Sequence, residues 1–290
     1  MPTTVADALT EALPYVRRWR DRTVVVKLGG AAMTSAELTA STLQDLVLLQ
    51  TIGVRVVLCH GGGPAVTDWG RRLGLEARFV DGLRVTDPET MRVAQLVQVG
   101  GISRDLVAGL ARHGGRALGV SGQDGGGWLR GTLRAHRSRE TGEAVDLGRV
   151  GDITKVDADF LRTLLSAGLI PVVAPVAVDD ALDALNVNAD TVADAVAGAL
   201  AADRLLLLTD VPGVRGPEGT VTPTADAALL QGWIQAGVVS GGMIPKVEAA
   251  LAALASGVGG VVIADGRPPH AVLLELLTHS GAGTLITSEP

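Results

Sequence analysis

One cysteine, Cys59, stands in a chain of 290 residues. No internal disulfide can form, and a reducing compartment, the cytoplasm, is expected. Aromatic residues make up only 2 %. The core must therefore come from Ala, Val and Leu, and with apolar residues at 47 % there is enough for one large α/β domain or two lobes. A net charge of −6 without any run of like charges speaks against nucleic acid or an anionic membrane as main partner. The longest apolar stretches, 204–208 and 169–178, are too short or too proline-broken for the about 20 residues that cross a bilayer. The N-terminus mixes Asp7, Glu11 and Arg17 with apolar residues, unlike a signal peptide, and no long period recurs.

Familiar catalytic signatures are missing as well. Without G-x-x-x-x-G-K-S/T the chain is no P-loop enzyme, and without G-x-G-x-x-G after a strand a nicotinamide dehydrogenase is not expected. The five histidines show no zinc-ligand spacing, so no protein-held metal is expected. No G-x-S-x-G elbow is present. Lysine is scarce: Lys27, Lys155 and Lys246 are the only three among 25 basic residues. A position that stays lysine in so arginine-rich a chain can need a compact ammonium rather than a planar fork. Lys27 and Lys246 both lie beside glycine loops; Lys155 reads as a solvated surface residue.

What is abundant is glycine, 38 residues against an average of roughly 7 %, much of it in pairs and triples. Apolar strands are expected at 23–28, 54–59, 116–120, 169–174, 204–209 and 259–264. Helical spacing runs through 36–50, 64–73, 89–112, 158–167, 189–201, 224–236, 244–256 and 270–278. Strand followed by helix, repeated, predicts an α/β three-layer sandwich with a mostly parallel central sheet. The stretch 127–152 breaks the rhythm and reads as a surface hairpin. The pattern restarts near 180, which divides the chain into 21–180 and 181–290 after an N-terminal extension, 1–20.

Ligands of open α/β sheets bind at the carboxyl ends of strands, and the glycine loops fall there. His60-Gly61-Gly62-Gly63-Pro64 follows a strand and opens a helix, where backbone N–H groups make an anion site; His60 reads as a structural hydrogen-bonding residue. Arg84, in Asp81-Gly82-Leu83-Arg84-Val85-Thr86, suits carboxylate recognition or a surface ion pair. Asn186-Val187-Asn188-Ala189-Asp190 opens an alanine-rich helix, where its polar residues can equally be N-caps. Leu208-Thr209-Asp210-Val211-Pro212-Gly213-Val214 ends a strand at a place suited to a nucleoside.

Taken together, KLGG at 27–30, HGGGP at 60–64, DGLRVT at 81–86, the glycine loop 120–127, NVNAD at 186–190, LTDVPGV at 208–214 and SGGMIPKVEAAL at 240–251 resemble the amino-acid kinase family, collinearly from about residue 12 to 287. The resemblance implies phosphoryl transfer from ATP, with Mg²⁺ delivered by the nucleotide. The acceptor it implies is the side-chain carboxylate of N-acetyl-L-glutamate, phosphorylated in the second step of arginine biosynthesis. DGLRVT and NVNAD favour that acceptor over acetylaminoadipate. Retention of Lys27, Asp190 and Lys246 argues against a non-catalytic sensor. By the same resemblance Lys27 and Lys246 stabilise the transferring phosphoryl group and Asp190 holds them. Gly29, Gly30 and Gly61 cradle phosphate; Gly62, Gly63, Arg84 and Asn186 meet the acceptor. Asp210, Val211, Gly213, Val214, Arg215, Val238, Val239 and Ser240 border the nucleotide. A carboxylate with a pKa of about 4.3 is already ionised at neutral pH, so no general base is needed.

Residues 4–20 carry Val5, Ala8, Leu9, Ala12, Leu13, Val16 and Trp19 at helical spacing, and Pro14 is expected to kink that helix. Its apolar stripe can pack on its own lobe or, as in the family members that arginine inhibits, interlace with other subunits. A homodimer or a hexamer built as a trimer of dimers is implied, with arginine bordered by Tyr15 and the segment from His270 to Gly283. Ser280 stands where an acidic residue for the inhibitor's charge is expected.

Overall fold

The computed structural model describes residues 5–29, 33, 35–279 and 281–288. Gly30 and Ser280, singled out above, lie outside them, as do the side chains of Val5 and Ala8. The chain runs α1 (Val5–Trp19), β1 (Thr23–Leu28), α2 (Ala36–Thr51), β2 (Arg55–His60), α3 (Gly63–Arg72), β3 (Phe79–Val80), β4 (Leu83–Arg84) and α4 (Pro88–Gln95). A π-helical stretch, Leu96–Ile102, joins α4 to α5 (Ser103–Arg112), and β5 (Ala117–Val120), β6 (Leu129–Leu133), β7 (His136–Arg137), β8 (Ala144–Val145) and β9 (Gly151–Val156) follow. Then come α6 (Ala158–Ser166), β10 (Ile170–Val173), β11 (Val176–Val178), β12 (Ala184–Asn186), α7 (Ala189–Leu200) and β13 (Arg204–Thr209). The chain closes with β14 (Thr224–Asp226), α8 (Ala227–Gln235), α9 (Met243–Ala255), β15 (Val261–Asp265), α10 (Ala271–Leu277) and β16 (Gly283–Thr287).

Eight strands form one sheet in the order β14-β16-β15-β13-β1-β2-β10-β5, with every neighbouring pair parallel except β15–β16. The sheet continues across residue 180: β13 lies directly beside β1. The first half of the chain grows outward from β1 on one side, the second half on the other. Loops leaving β2 and β13 therefore diverge, and a crevice opens at the carboxyl ends of the central strands.

The expected burial on both faces is present. In β1, Val24, Val26 and Leu28 enter a core with Leu43, Leu46 and Leu110, while Val25 enters the opposite core with Val192, Ala193 and Val196 of α7. Strand side chains alternate, so Lys27 shares the face of Val25 and is directed to the α7 side.

Several expectations needed correction. The helix expected over 89–112 contains the π-helical stretch, which no local pattern distinguishes from α-helix. Residues 224–226 of the helix expected over 224–236 form β14, because the Asp226 carboxylate accepts the Leu229 N–H at 2.8 Å and starts the helix there. The hairpin of 127–152 exists as β6 against β9 with β7–β8 nested inside, yet it joins a second sheet, β12-β11-β6-β9. Trp128 and Leu129 at its root are fully buried. Strands of two or three residues, such as β11 and β12, are too short for a period-2 signal. Helix α1 holds Pro14 within its Val5–Trp19 span, so the proline does not end it, and this does not contradict the expected kink.

Candidate active site

The β1–loop and β2–loop junctions meet first. Gly61 N–H donates to Leu28 O at 2.9 Å, drawing the two glycine loops together. A Cβ on Gly29 would stand 2.8 Å from Lys27 Nζ, and one on Gly62 would meet Ile102 Cδ1 at 2.7 Å. Bare backbone is what lets the lysine and the π-helical stretch approach. His60 donates from Nδ1 to Gly61 O at 2.9 Å, and its buried ring is held neutral, its pKa pushed down to about 4 by burial. Through this bond it fixes the loop.

Asn188 is the N-cap of α7: its side chain accepts the Asp190 N–H at 2.7 Å. The neighbouring Asp190 carboxylate is left for another partner, and it pairs with Lys27 at 2.8 Å between Nζ and Oδ1. Capping and ion pairing are thus divided between two residues of NVNAD.

A cleft of about 280 Å³ opens around this pair, lined by Gly29, Gly61 to Gly63, Gln98, Arg84, Asn186 and Asp190 together with Val66, Phe79, Leu83 and Val187. Arg84, on β4, donates to Gly63 O at 3.0 Å and to Thr67 Oγ1 at 2.5 Å, with its guanidinium carbon 4.7 Å from the centre of the Phe79 ring. Burial pushes its pKa down, and among the described residues no carboxylate pairs with it. Asn186 donates from Nδ2 to Thr86 Oγ1 at 3.0 Å.

A second cleft of about 270 Å³ lies on the other side of Asp190 and holds Lys246, Thr209, Gly242 and Asp194. A third, about 310 Å³, is bordered by Val211, Pro212, Gly213, Arg215, Val238, Val239, Ser240 and Met243. Val214 is completely buried beneath that loop, where its N–H donates to Thr284 Oγ1 at 2.8 Å. Asp210 sits at the end of β13, exposed. The sequence-predicted residues therefore line three clefts, of which the first two share Asp190, while Asp210 and Val214 line none of them. Gln98 and Asp194 were not singled out from the sequence, and Thr209 only as part of the 208–214 motif. Asp194 had a signal: it stands four residues after Asp190, one helical turn along the same face.

The family model described as "Amino acid kinase family" matches residues 22–265. The chain is 49 % identical to the acetylglutamate kinase of Symbiobacterium thermophilum, over 97 % of each chain. The solved N-acetylglutamate synthase of Neisseria gonorrhoeae, complexed with coenzyme A and N-acetyl-glutamate, superposes with a TM-score of 0.85 at 28 % identity, covering 99 % of this chain and 64 % of that one. The same synthase with coenzyme A and L-arginine gives 0.80 at 26 % identity, covering 99 % of this chain and 66 % of that one. This chain thus spans about two thirds of the synthase. The chain belongs to the amino acid kinase family. At nearly full length, the relative at 49 % identity is an acetylglutamate kinase.

Proposed function

We propose that the chain transfers the γ-phosphoryl group of ATP to the side-chain carboxylate of N-acetyl-L-glutamate. The γ-phosphorus–oxygen bond of ATP breaks, a bond forms from that phosphorus to a carboxylate oxygen, and ADP leaves with the electron pair. The observation that carries this reading is the Lys27–Asp190 pair at 2.8 Å, standing where the glycine-lined cleft meets the cleft of Lys246. A small carboxylic acid enters the first cleft with one carboxylate toward Arg84 and Asn186 and the other toward Lys27. The nucleotide enters from residues 210–215 and 238–240. Two ammonium groups and the backbone N–H groups of Gly29 and Gly61 to Gly63 then offset the charge that spreads over the transferring oxygens. Residues 21–180 serve mainly the acceptor, joined at its cleft by 186–190, and the rest of 181–290 serves the nucleotide.

Among the described residues no group of three or more His, Cys, Asp or Glu could hold a metal ion. In this reading Mg²⁺ arrives with the nucleotide phosphates. Among the described residues no helix is long and apolar enough to cross a membrane. With ATP, Mg²⁺ and N-acetyl-L-glutamate, the product is an acyl phosphate that hydroxylamine traps as a hydroxamate. ADP released without hydroxamate would overturn the carboxylate acceptor.

Arginine as a feedback inhibitor is read onto a cleft of about 300 Å³ between α1 and α10, lined by Tyr15, Arg18, Trp19, Arg204, Glu275 and His279. Its acid is Glu275, which accepts the Ala282 N–H at 2.7 Å and whose pKa is raised chiefly by burial. Trp19 anchors α1 there by donating to Leu276 O at 2.7 Å, while Leu9 and Leu13 remain exposed. That exposed stripe supports α1 as a contact between subunits in a hexamer.

A further inference from the structure

Arg84 stands on a small support. Strands β3 and β4 have two residues each, paired Phe79 to Arg84 and Val80 to Leu83, and Asp81-Gly82 joins them. Both turn residues are left-handed, with φ 51° at Asp81 and 82° at Gly82. A two-residue hairpin turn asks for that conformation, and Asp followed by Gly accepts it. A hairpin this short is marginal by itself, so where its guanidinium sits depends on what the hairpin is tied to.

The excursion between β6 and β9 ties it from two sides. At the outer end the β7–β8 hairpin reaches the β3–β4 turn. Asp81 Oδ2 accepts from His136 Nε2 at 2.7 Å and from the Arg139 N–H at 2.9 Å. The Asp81 and His136 side chains are only 15 % and 13 % exposed. These bonds hold the Asp81 carboxyl below the usual carboxylate range, the Arg139 N–H first and His136 next. At the inner end the excursion meets the chain just after β4. Thr86 N–H donates to Leu147 O at 2.9 Å, and Arg149 N–H donates to Thr86 O at 2.6 Å. Gly148, at φ 66°, passes so close that a Cβ there would collide with Thr86 O. The buried Thr86 hydroxyl in turn donates to Arg84 O at 2.9 Å. Arg84 thus lies between the two ties.

The ties differ in kind. The inner one runs from backbone to backbone, whereas the outer one needs the side chains of Asp81 and His136. We propose that Asp81 and His136 are positioning residues that set which length of acid the acceptor cleft takes. The inference rests on the transfer proposed above, in which one carboxylate of the acid meets Arg84 and the other Lys27. The span between those two cations then measures the carbon chain of the substrate. Held at both ends, Arg84 offers one span. Held only at Thr86, the hairpin can tilt, and the guanidinium also meets an acid one methylene longer.

The test compares N-acetyl-L-glutamate with N-acetyl-L-α-aminoadipate, one methylene longer, by hydroxamate formation. The wild type should favour the shorter acid by about tenfold or more in kcat/KM, the scale for one methylene in a fitted pocket. His136→Ala and Asp81→Gly, the latter free of strain at a left-handed φ, should each raise the N-acetylglutamate KM about five- to tenfold. Their kcat should fall less than about threefold, the ATP KM should hold, and the preference between the two acids should shrink by about threefold or more. Combined, the two changes should cost little more than either alone, because they remove one contact. Asp81→Asn and His136→Gln keep an acceptor oxygen and a donor N–H, and should restore most of the preference. A pair at a hairpin surface adds little stability, so Tm should move by about 2 °C or less.

A preference unchanged in His136→Ala, or costs that simply add in the double variant, would overturn the proposal. His136 lies in β7, an extended strand, so that variant decides even if Asp81→Gly fails to fold. A wild type that forms hydroxamate from neither acid would overturn the carboxylate acceptor, and the clamp's role with it. Hydroxamate from the wild type with the same preference in every variant would overturn the clamp alone.

Discussion

The two sides of Asp190 are built differently. On the side proposed for the acceptor most charged and amide groups are already tied down, Lys27 to Asp190, Arg84 to Gly63 O and Thr67, Asn186 to Thr86, while Gln98 Oε1 is buried without a partner among the described residues. On the nucleotide side the walls are Val211, Pro212, Val238, Val239 and Met243, and Lys246 stands without an ion pair among the described residues. A small acid offers few atoms, so its site must be preorganised to orient it. A nucleotide brings a large base, a sugar, several phosphates and a metal ion, and can complete its own site. The half proposed for the acceptor is accordingly held by side-chain hydrogen bonds and an ion pair, while the half proposed for the nucleotide is walled mainly by apolar residues, with Lys246 and Arg215 as its cations among the described residues.

The largest effects should come from the charges at the shared boundary. Lys27→Ala or Lys246→Ala should each lower kcat by about 10²–10³, the scale for losing one preorganised charge donor, with smaller changes in KM. Lys→Arg should also fail, since a planar head changes the geometry. Near-normal kcat in both alanine variants would remove the boundary itself.

Next in size is Arg84, whose loss should sharpen the contrast. Arg84→Ala should cost roughly 1.5–3 kcal/mol in kcat/KM for N-acetylglutamate, as for a hydrogen bond to a charged group, while the KM for ATP stays nearly constant. An effect confined to ATP would erase the division between the two halves.

A smaller effect concerns stability against pH. Asp194 binds its proton more tightly folded, at about 7, than unfolded, so its contribution is full below about 4 and lost as pH rises through about 7. Asp45 and Glu275, also raised chiefly by burial, carry the same sign. His60, lowered to about 4, carries the opposite one: its contribution is lost as pH falls from about 6.5 through about 4. Asp194→Asn should therefore raise Tm by a few degrees at pH 8 and much less at pH 5, as thermal melts can show. Equal gains at both pH values would place the Asp194 proton elsewhere.

The smallest effect on chemistry should come from outside both halves. Deleting residues 1–20 should leave kcat little changed and yield an active dimer without any arginine response. Light scattering that finds a full-length dimer, or a truncated hexamer, would defeat the assembly.

The sequence by itself determined the layers, because buried parallel strands such as 23–28 and 204–209 are continuous apolar runs and the helices between them repeat every 3.6 residues. It also marked the loops of the site, since Gly61 to Gly63 and Lys246 are legible as residue types whatever surrounds them. Tertiary structure alone decided which groups meet. Asn188 caps α7 through a local contact, but only the packing of α7 against β1 brings the Asp190 carboxylate to Lys27. Asp194 and Lys246 in one cleft, and Arg84 against Gly63 O, bring together residues separated in the chain. The π-helical turn at 96–102 and the short strands β11 and β12 were illegible for a related reason: contacts from elsewhere select them. Local pattern reports burial and backbone freedom; an unpartnered carboxylate is defined only by what the rest of the fold brings, or fails to bring, within reach of it.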